Sequence, residues 1–429
     1  MTYLFNNNVN PQNNNVIVST TNPLPVTTLG GIYNSSGNLD TSTDGFGRVR
    51  TSNPETLFDS SFRYSDDYRN WDSVTTGNGS NTFIATQACI SMNVNTTSGD
   101  KVVRETKRVF KYQPGKSLFI LSSFVMNQPK ANLRQRIGYF SANNGYFLEH
   151  DGTGLYIVER SGVSGSAVDT RIPQDNWNVD TLKVGSASNV VVNVANSQIF
   201  WADMEWLGVG SVRTGFIVDG QLIVAHIFHH ANKLPNVYMT TATLPLRAEI
   251  ENTGTTSSNS RLQQICNSVM SEGGYHPSVA TRAASTTLTG INLSDVVYRP
   301  LVSIRLKSTT PDAMVLPALV QAYGLQNVPY IWRISMNGSI TGGTWNTTGS
   351  DSAVEYNTTG TGISGDDILL EGVFGGGTIG APLSLNLAQF NSGYQLRRYA
   401  NGTPIVFTLS ALATTNNDDA VGSVSWEEM

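Results

Sequence analysis

The sequence predicts an all-β protein: a β-sandwich or jelly-roll body with an extended N-terminal arm and one short helix. Charged residues form only 14% of the chain, against about 25% in ordinary globular proteins. Asn, Ser, Thr and 40 Gly fill that deficit, and such residues suit short strands joined by tight turns. Hydrophobic residues, at 39%, are sufficient for a folded core.

The first 56 residues differ from the rest and form the predicted arm. Asn-rich runs are followed by Thr, Pro and Gly, and the sparse apolar residues have no period, so this segment cannot bury enough surface to fold alone. Two interpretations stay open: a flexible tail, or an arm that orders against a neighbouring subunit. The candidate arm residues, which could add strands to a partner's sheet edge, are Val16, Ile17, Val18, Pro23, Leu24, Pro25 and Val26.

Residues 57–300 form the predicted β-sandwich body. Asp219-Gly220 separates two apolar runs, which is the strongest short-range signal for a hairpin. One segment departs from the β pattern: residues 258–271 place apolar side chains at helical spacing and predict the short helix. The apolar positions there are Leu262, Ile265, Cys266, Val269 and Met270.

Residues 301–429 are a second β-rich region, with apolar strand-like runs at Leu301–Leu306 and Tyr330–Ile334. The pattern allows either a second small sandwich or strands that complete the first. Cys89 and Cys266 both lie in largely apolar surroundings, so we expect small buried thiols rather than a disulfide.

Charge and hydropathy argue against two classes of partner. The net charge is −5 and no basic run occurs, so nucleic-acid binding is not expected. No run of about 18 apolar residues is present, so we expect no membrane insertion. The N-terminal residues lack the basic and apolar regions of a signal peptide, which predicts folding in a cytoplasm.

The most enzyme-like pattern is Trp201–Trp206, which contains Asp203 and Glu205. On a strand these carboxylates share one face, about 7 Å apart. Paired carboxylates between tryptophans are typical of a sandwich-fold glycosidase. A half-exposed strand with alternating polar residues gives the same string, and we favour that solvent-facing interpretation. The chain is therefore predicted not to be an enzyme.

Other candidate sites are weaker. His226, His229 and His230 cluster at the end of the predicted hairpin, where His226 and His230 would share a strand face. No third ligand has diagnostic spacing, so no metal and no cofactor is predicted. The glycine run Gly375–Gly377 lacks the Lys and helix of a phosphate loop. The aromatic cluster of residues 58–71 suits packing between arm and sandwich. The candidate residues for stacking on a glycan are Trp201, Trp206 and Tyr146.

Several segments together resemble a family of virion structural proteins from tailed phages, many of which infect marine or cyanobacterial hosts. The similarity covers most of residues 47–429 and is weakest over the first 45. The segments that carry it are Gly47–Ser60, Leu234–Thr240 with Leu244–Gly254, Gln264–Tyr275 and Pro300–Lys307.

The resemblance implies a virion component with a lectin-like sandwich, made in the host cytoplasm, and transfers no catalytic residue. We expect a tail, baseplate or fibre-associated position. The alternatives are a capsid decoration or head-fibre protein, or a host-glycan-binding module. The expected partners are other virion proteins and copies of the chain itself, with a homotrimer favoured.

Overall fold

The computed structural model describes residues 54–274, 279–378, 380–387 and 393–429. It also gives the backbone of two short paired strands, β1 (Leu4–Phe5) and β2 (Val16–Ile17). Helical hydrogen bonding in this part of the chain is limited to short 3-10 turns, at Ala85–Gln87, at Gln174–Asn176 and at residues 393–394. The all-β prediction is confirmed. No helix among these residues is long and apolar enough to cross a membrane.

A first β unit consists of two antiparallel sheets packed face to face. Its strands are β3 (Glu55–Ser61), β4 (Trp71–Thr76), β5 (Ser80–Ile84), β6 (Cys89–Val94), β7 (Lys101–Thr106), β8 (Ser117–Val125), β9 (Leu133–Phe140), β10 (Gly145–His150), β11 (Leu155–Ser161), β12 (Val168–Pro173), β13 (Gln198–Met204), β14 (Val212–Val218), β15 (Gln221–Phe228), β16 (Leu246–Asn252) and β17 (Ser260–Glu272). The seven-stranded sheet has the order β12-β11-β10-β9-β16-β7-β4. The eight-stranded sheet has the order β15-β14-β13-β8-β17-β6-β5, with β3 beside β17.

The two-residue period of the strands separates the core from the outer faces. On β16, Leu246, Ala248 and Ile250 are fully buried in the core between the sheets. The charged residues that alternate with them, Arg247 and Glu249, point to the opposite face. On β9 and β10 the outer face carries Arg136 and Glu149 beside the buried aromatic pair Phe140 and Phe147. The seven-stranded sheet thus has an outer face that combines charged and aromatic side chains.

The predicted hairpin at Asp219-Gly220 is confirmed. β14 and β15 pair antiparallel, and Val218 opposite Gln221 is the pair next to the turn. The turn residues Asp219 and Gly220 have φ of 51° and 74°. A type I′ turn requires positive φ at both central positions, which Asp and Gly tolerate better than most residues.

The predicted helix at residues 258–271 is wrong, because the segment is β17, a central strand of the eight-stranded sheet. A bulge shifts the register with β8 between Gln264 and Cys266. Leu262 before the bulge and Val269 after it are both in the core, although their spacing of seven would put them on opposite faces of a regular strand. The same bulge leaves Cys266 exposed, which corrects the expectation of a buried thiol there.

A second β unit follows with a hydrophobic core of its own. Its strands are β18 (Ala280–Ser285), β19 (Ile291–Leu293), β20 (Arg299–Leu306), β21 (Val315–Gly324), β22 (Tyr330–Met336), β23 (Ser339–Thr341), β24 (Asn346–Thr347), β25 (Val354–Asn357), β26 (Gly362–Ser364), β27 (Asp367–Phe374), β28 (Leu383–Asn386), β29 (Phe407–Ala413) and β30 (Asp418–Glu428). One sheet has the order β18-β30-β21-β28, with β19 beside β30, and the other β24-β25-β20-β29-β22-β27. β23 pairs with β26. The predicted boundary at residue 300 falls inside β20.

Residues 393–401 of the second unit lie against the first unit, and we call them the bridging segment. The backbone N–H of Arg398 donates to the carbonyl of Lys107 at 3.0 Å. Gln395 donates to the carbonyl of Val109 at 3.0 Å, and the N–H of Ala400 to a carboxylate oxygen of Asp72 at 2.8 Å. These bonds tie the two units together beside β4 and β7.

Candidate functional site

β13 places Trp201 and Asp203 on its outer side, while Phe200 and Met204 fill the core. Trp201 packs against Phe119 with ring centroids 5.8 Å apart. The two carboxylates are not solvent-facing, since Asp203 is 1% exposed and Glu205 0%. The solvent-facing interpretation of this strand is therefore wrong.

Asp203 is held by a cross-strand arginine. Its register partner on β14 is Arg213, whose Nε donates to Asp203 Oδ2 at 2.9 Å and whose Nη2 donates to the same oxygen. Charge-assisted pairs of this kind are among the stronger hydrogen bonds in proteins. The arrangement gives Asp203 a fixed position and a guanidinium partner.

A second buried cluster connects the two sheets of the first unit. Glu159 on β11 accepts a hydrogen bond from the Tyr146 hydroxyl, and its Oε2 lies 2.6 Å from His230 Nε2. His230 Nδ1 lies 2.6 Å from the carbonyl of Gly210, which can only accept, so Nδ1 carries a proton. The contact at Nε2 then needs one more proton, held by either the imidazole or the carboxyl group.

Aromatic stacking completes this cluster. The Tyr238 ring lies on His230 with centroids 3.8 Å apart and 18° between the planes. Burial raises the pKa of both Tyr146 and Tyr238 well above the ordinary value. The cluster is a buried polar contact between the two sheets. No local sequence signal predicts it, because Glu159 and His230 are 71 positions apart in the sequence.

The predicted glycan-binding residues do not form one surface. Trp201 and Tyr146 are each 1% exposed, so neither ring offers a face to a sugar. Trp206 is half-buried and meets the ring of Tyr112 edge-on at 6.1 Å. Stacking on a carbohydrate would need an exposed ring face, which Trp201 and Tyr146 lack because both are packed inside clusters.

The three neighbouring histidines have different partners. His226 Nδ1 accepts the N–H of Asn178 at 3.2 Å, and His229 Nδ1 lies 3.1 Å from the Ser211 hydroxyl. Burial lowers the pKa of His226 to about 4. Across the described ranges, no group of three His, Cys, Asp or Glu side chains could hold a metal ion.

Of the predicted arm residues, the structure describes only Val16 and Ile17. Val16–Ile17 pairs antiparallel with Leu4–Phe5 of the same chain. Val18, Pro23, Leu24, Pro25 and Val26 lie outside the described residues. In the aromatic cluster, Phe58, Phe62 and Trp71 belong to the core, whereas Tyr64 is 85% exposed.

The outer face of the seven-stranded sheet carries an alternating row of charges that we call the ion-pair ladder. In spatial order its members are Arg171, Glu149, Arg136, Glu249, Arg247, Glu105 and Arg398. Arg136 contacts Glu149 at 2.5 Å and Glu249 at 3.3 Å. Arg398 of the bridging segment contacts Glu105 at 2.8 Å. The ladder thus runs from β12 across the sheet into the second unit.

Comparison with known proteins gives structural matches only. No protein-family model and no curated protein matches the chain. A beta-1,3-glucanase from Mycobacterium marinum is 7% identical, with a TM-score of 0.36 over 50% of this chain and 98% of that one. The Bacillus licheniformis beta-glucanase is 8% identical, with a TM-score of 0.34 over 50% and 97%. The carbohydrate recognition domain of Emp47p is 9% identical, with a TM-score of 0.30 over 52% and 95%.

These matches bear on one prediction directly. Several of the matched structures are glucanases or glycosyl hydrolases, which contradicts the prediction that the chain is not an enzyme. That prediction is withdrawn. At identities below 10% the similarity concerns the β-sandwich fold, and it assigns neither a reaction nor a substrate to this chain.

Proposed function

We propose that the chain is a structural component of a tailed-phage particle, assembling through an open sheet edge and its N-terminal segment. The observation that carries the proposal is strand β27, an edge of the second unit. Among the described residues it pairs only with β22. Its side chains include Val373, 76% exposed, and Ile368, 44% exposed.

An open edge with apolar side chains is a template for a strand from another chain. The occupant that we propose is the N-terminal segment of a neighbouring copy, which has short apolar islands between polar residues. The exposed Val373 would then be covered in the assembly.

The joint between the two units supports the same role. The ion-pair ladder and the bridging segment connect the units by several hydrogen bonds and by the buried pair of Arg398 with Glu105. In the proposed role these contacts hold the second unit, and with it β27, in place beside the first unit.

Two variants test the proposal, with particle incorporation and sedimentation of the purified protein as readouts. Deletion of residues 1–45 should leave a folded body that neither self-associates nor joins particles. Val373→Lys should have the same effect, because a lysine on an edge strand opposes strand addition. Val184→Lys, at a position 90% exposed in a loop, is the matched control. Normal incorporation of the truncated protein would contradict the proposal.

Tail, baseplate or fibre association is the position that we favour, with a head fibre or capsid decoration as the alternative and a trimer as the proposed assembly. Imaging of the labelled chain on particles distinguishes these positions. Host-glycan binding is less well supported by the geometry, since Trp201 and Tyr146 are buried.

A further inference from the structure

A cleft of about 460 Å³ lies between the two units. Its lining includes Arg69 and Arg108 of the first unit and Arg397 of the bridging segment. Asp367 at the start of β27 is the carboxylate among the described lining residues. We call this space the arginine cleft. The three arginines come from distant parts of the chain and meet only because the units are docked.

Arg397 has hydrogen bonds but no ion pair. Its Nη1 donates to the carbonyl of Arg69 at 2.6 Å and its Nη2 to the carbonyl of Gly393 at 2.7 Å. Its Nε is buried without a hydrogen-bond partner. Where the structure describes the chain, no carboxylate lies within 4.0 Å of its guanidinium nitrogens.

Arg69 likewise has no ion pair among the described residues. Its side chain is exposed at the cleft, and the hydrogen bond it donates goes from Nε to the Tyr68 hydroxyl at 3.4 Å. Asp367 is the nearby carboxylate, and its Oδ2 accepts a hydrogen bond from Asn337 Nδ2. Among the described residues that line the cleft there are therefore three arginines and one carboxylate.

Arg108 adds a third positive charge at the base of the cleft. It is 8% exposed, and its guanidinium lies 5.0 Å from the centre of the Phe58 ring. Burial lowers the pKa of Arg108 to about 10, and the nearby positive charge of Arg397 contributes to that lowering. Burial likewise lowers the pKa of Arg397 to about 10. Asp67 opposes the lowering at both arginines, and it also accepts hydrogen bonds from Ser60 and Asn70.

Grouped positive charges in a partly dehydrated space are unfavourable unless an anion accompanies them. Guanidinium groups present a planar fork of donors that matches the oxygens of sulfate, phosphate and carboxylate groups. We propose that the arginine cleft is a binding site for an oxyanion, with Arg69 and Arg397 as its direct ligands and Arg108 as a supporting charge. Its volume is in the range of small-molecule sites, which leaves room for the residue that carries the anionic group.

The anion has two sources to be distinguished, a free inorganic ion or an acidic group on a polysaccharide. Calorimetric titration of the full chain with sodium sulfate, at constant ionic strength set by sodium chloride, tests the first. Titration with dextran sulfate, against neutral dextran, tests the second. Arg69→Gln and Arg397→Gln should each weaken binding about tenfold or more, as expected for loss of a charged hydrogen bond.

The matched control is Arg63→Gln, which removes the same charge from an exposed arginine of the same loop that does not line the cleft. It should leave sulfate affinity unchanged. Arg69→Lys provides a second cleft variant at an exposed position, which should fold normally and bind more weakly than the unmodified chain.

The outcomes separate clearly. Saturable binding of sulfate or dextran sulfate that depends on Arg69 and Arg397, but not on Arg63, supports the cleft as an oxyanion site and identifies the source. Equal loss in the Arg63 variant would show general surface attraction and overturn the proposal. Absence of saturable binding to both ligands by the unmodified, folded chain would also overturn it. None of these outcomes decides whether the chain belongs to a phage particle.

Discussion

The ion-pair ladder and the arginine cleft both contain arginines beside the joint between the units, but the arginines differ in whether they have ion pairs. In the ladder, every arginine lies between carboxylates or beside one, and Glu249 and Glu105 are each shared by two arginines. In the cleft, Arg69 and Arg397 have no ion pair with any described residue. Each ladder arginine thus has a carboxylate within 4.0 Å, whereas these two cleft arginines have none among the described residues, and it is there that we propose a bound anion.

Loss of a ladder carboxylate should have the largest effect. Glu105 is 1% exposed and holds both Arg247 and Arg398. Glu105→Gln leaves two buried guanidinium groups without their shared counter-charge, so we expect a loss of about 3–5 kcal/mol in the free energy of unfolding. Urea unfolding, followed separately by fluorescence and by far-ultraviolet circular dichroism, measures it and shows whether the units separate.

The control for that variant is Glu371→Gln. Glu371 pairs with Arg333 on the second unit, but its side chain is 43% exposed, so its loss should change stability by less than about 1 kcal/mol. A Glu105 variant as stable as the Glu371 variant would mean that the ladder contributes little to the joint.

The contrast also shows what sequence reasoning can reach. The hairpin at Asp219-Gly220 was predictable because the signal lies in adjacent residues whose backbone preferences are strong. The strand β17 was mistaken for a helix because its bulge beside Ile265 moves Leu262 and Val269 onto one face. Such a bulge cannot be predicted from the sequence of one segment, because the bulge depends on which strands lie on either side.

The candidate sites also could be predicted only where the signal lies in neighbouring residues. Asp203 and Glu205 could be placed on one face from their spacing, but their burial depends on distant residues such as Arg213 and Phe119. The arginine cleft could not be predicted from the sequence, because its three arginines are spread over residues 69–397 and do not belong to a basic run.

The acid dependence of stability should follow from the ladder and be somewhat smaller than the effect of Glu105→Gln. Burial alone would raise the pKa of Glu249, but Arg247, Lys101 and Arg136 outweigh it and hold the pKa at about 2, below the ordinary 4.5. Below pH 5 the unfolded chain therefore takes up this proton more readily than the folded chain. The stabilisation contributed by Glu249 alone should fall by about 3 kcal/mol as the pH drops from 5 to 2.

Glu249→Gln tests this dependence, with unfolding followed at pH 7, 4 and 2.5. The variant should be less stable at pH 7 and should lose less stability on acidification. Glu371→Gln controls for the removal of one carboxylate and should keep the steep dependence. An unchanged pH profile in the Glu249 variant would assign the acid sensitivity to other groups.

Arginine removal from the cleft should have the smallest effect, and its comparison with the ladder is the sharpest. Arg247→Gln deprives buried Glu105 and Glu249 of a shared partner, so it should cost about 3 kcal/mol or more. Arg397→Gln loses hydrogen bonds to two carbonyls but also removes a desolvated charge beside two others. These effects oppose each other, so the net change without added anion should stay within about 1 kcal/mol.

Sulfate should then stabilise the unmodified chain and the Arg247 variant but not the Arg397 variant, because only a ligand bound by the folded state raises its stability. If Arg397→Gln proved as destabilising as Arg247→Gln in the absence of anion, Arg397 would have to serve the joint itself, and the distinction between a completed ladder and a cleft with charge left over would fail.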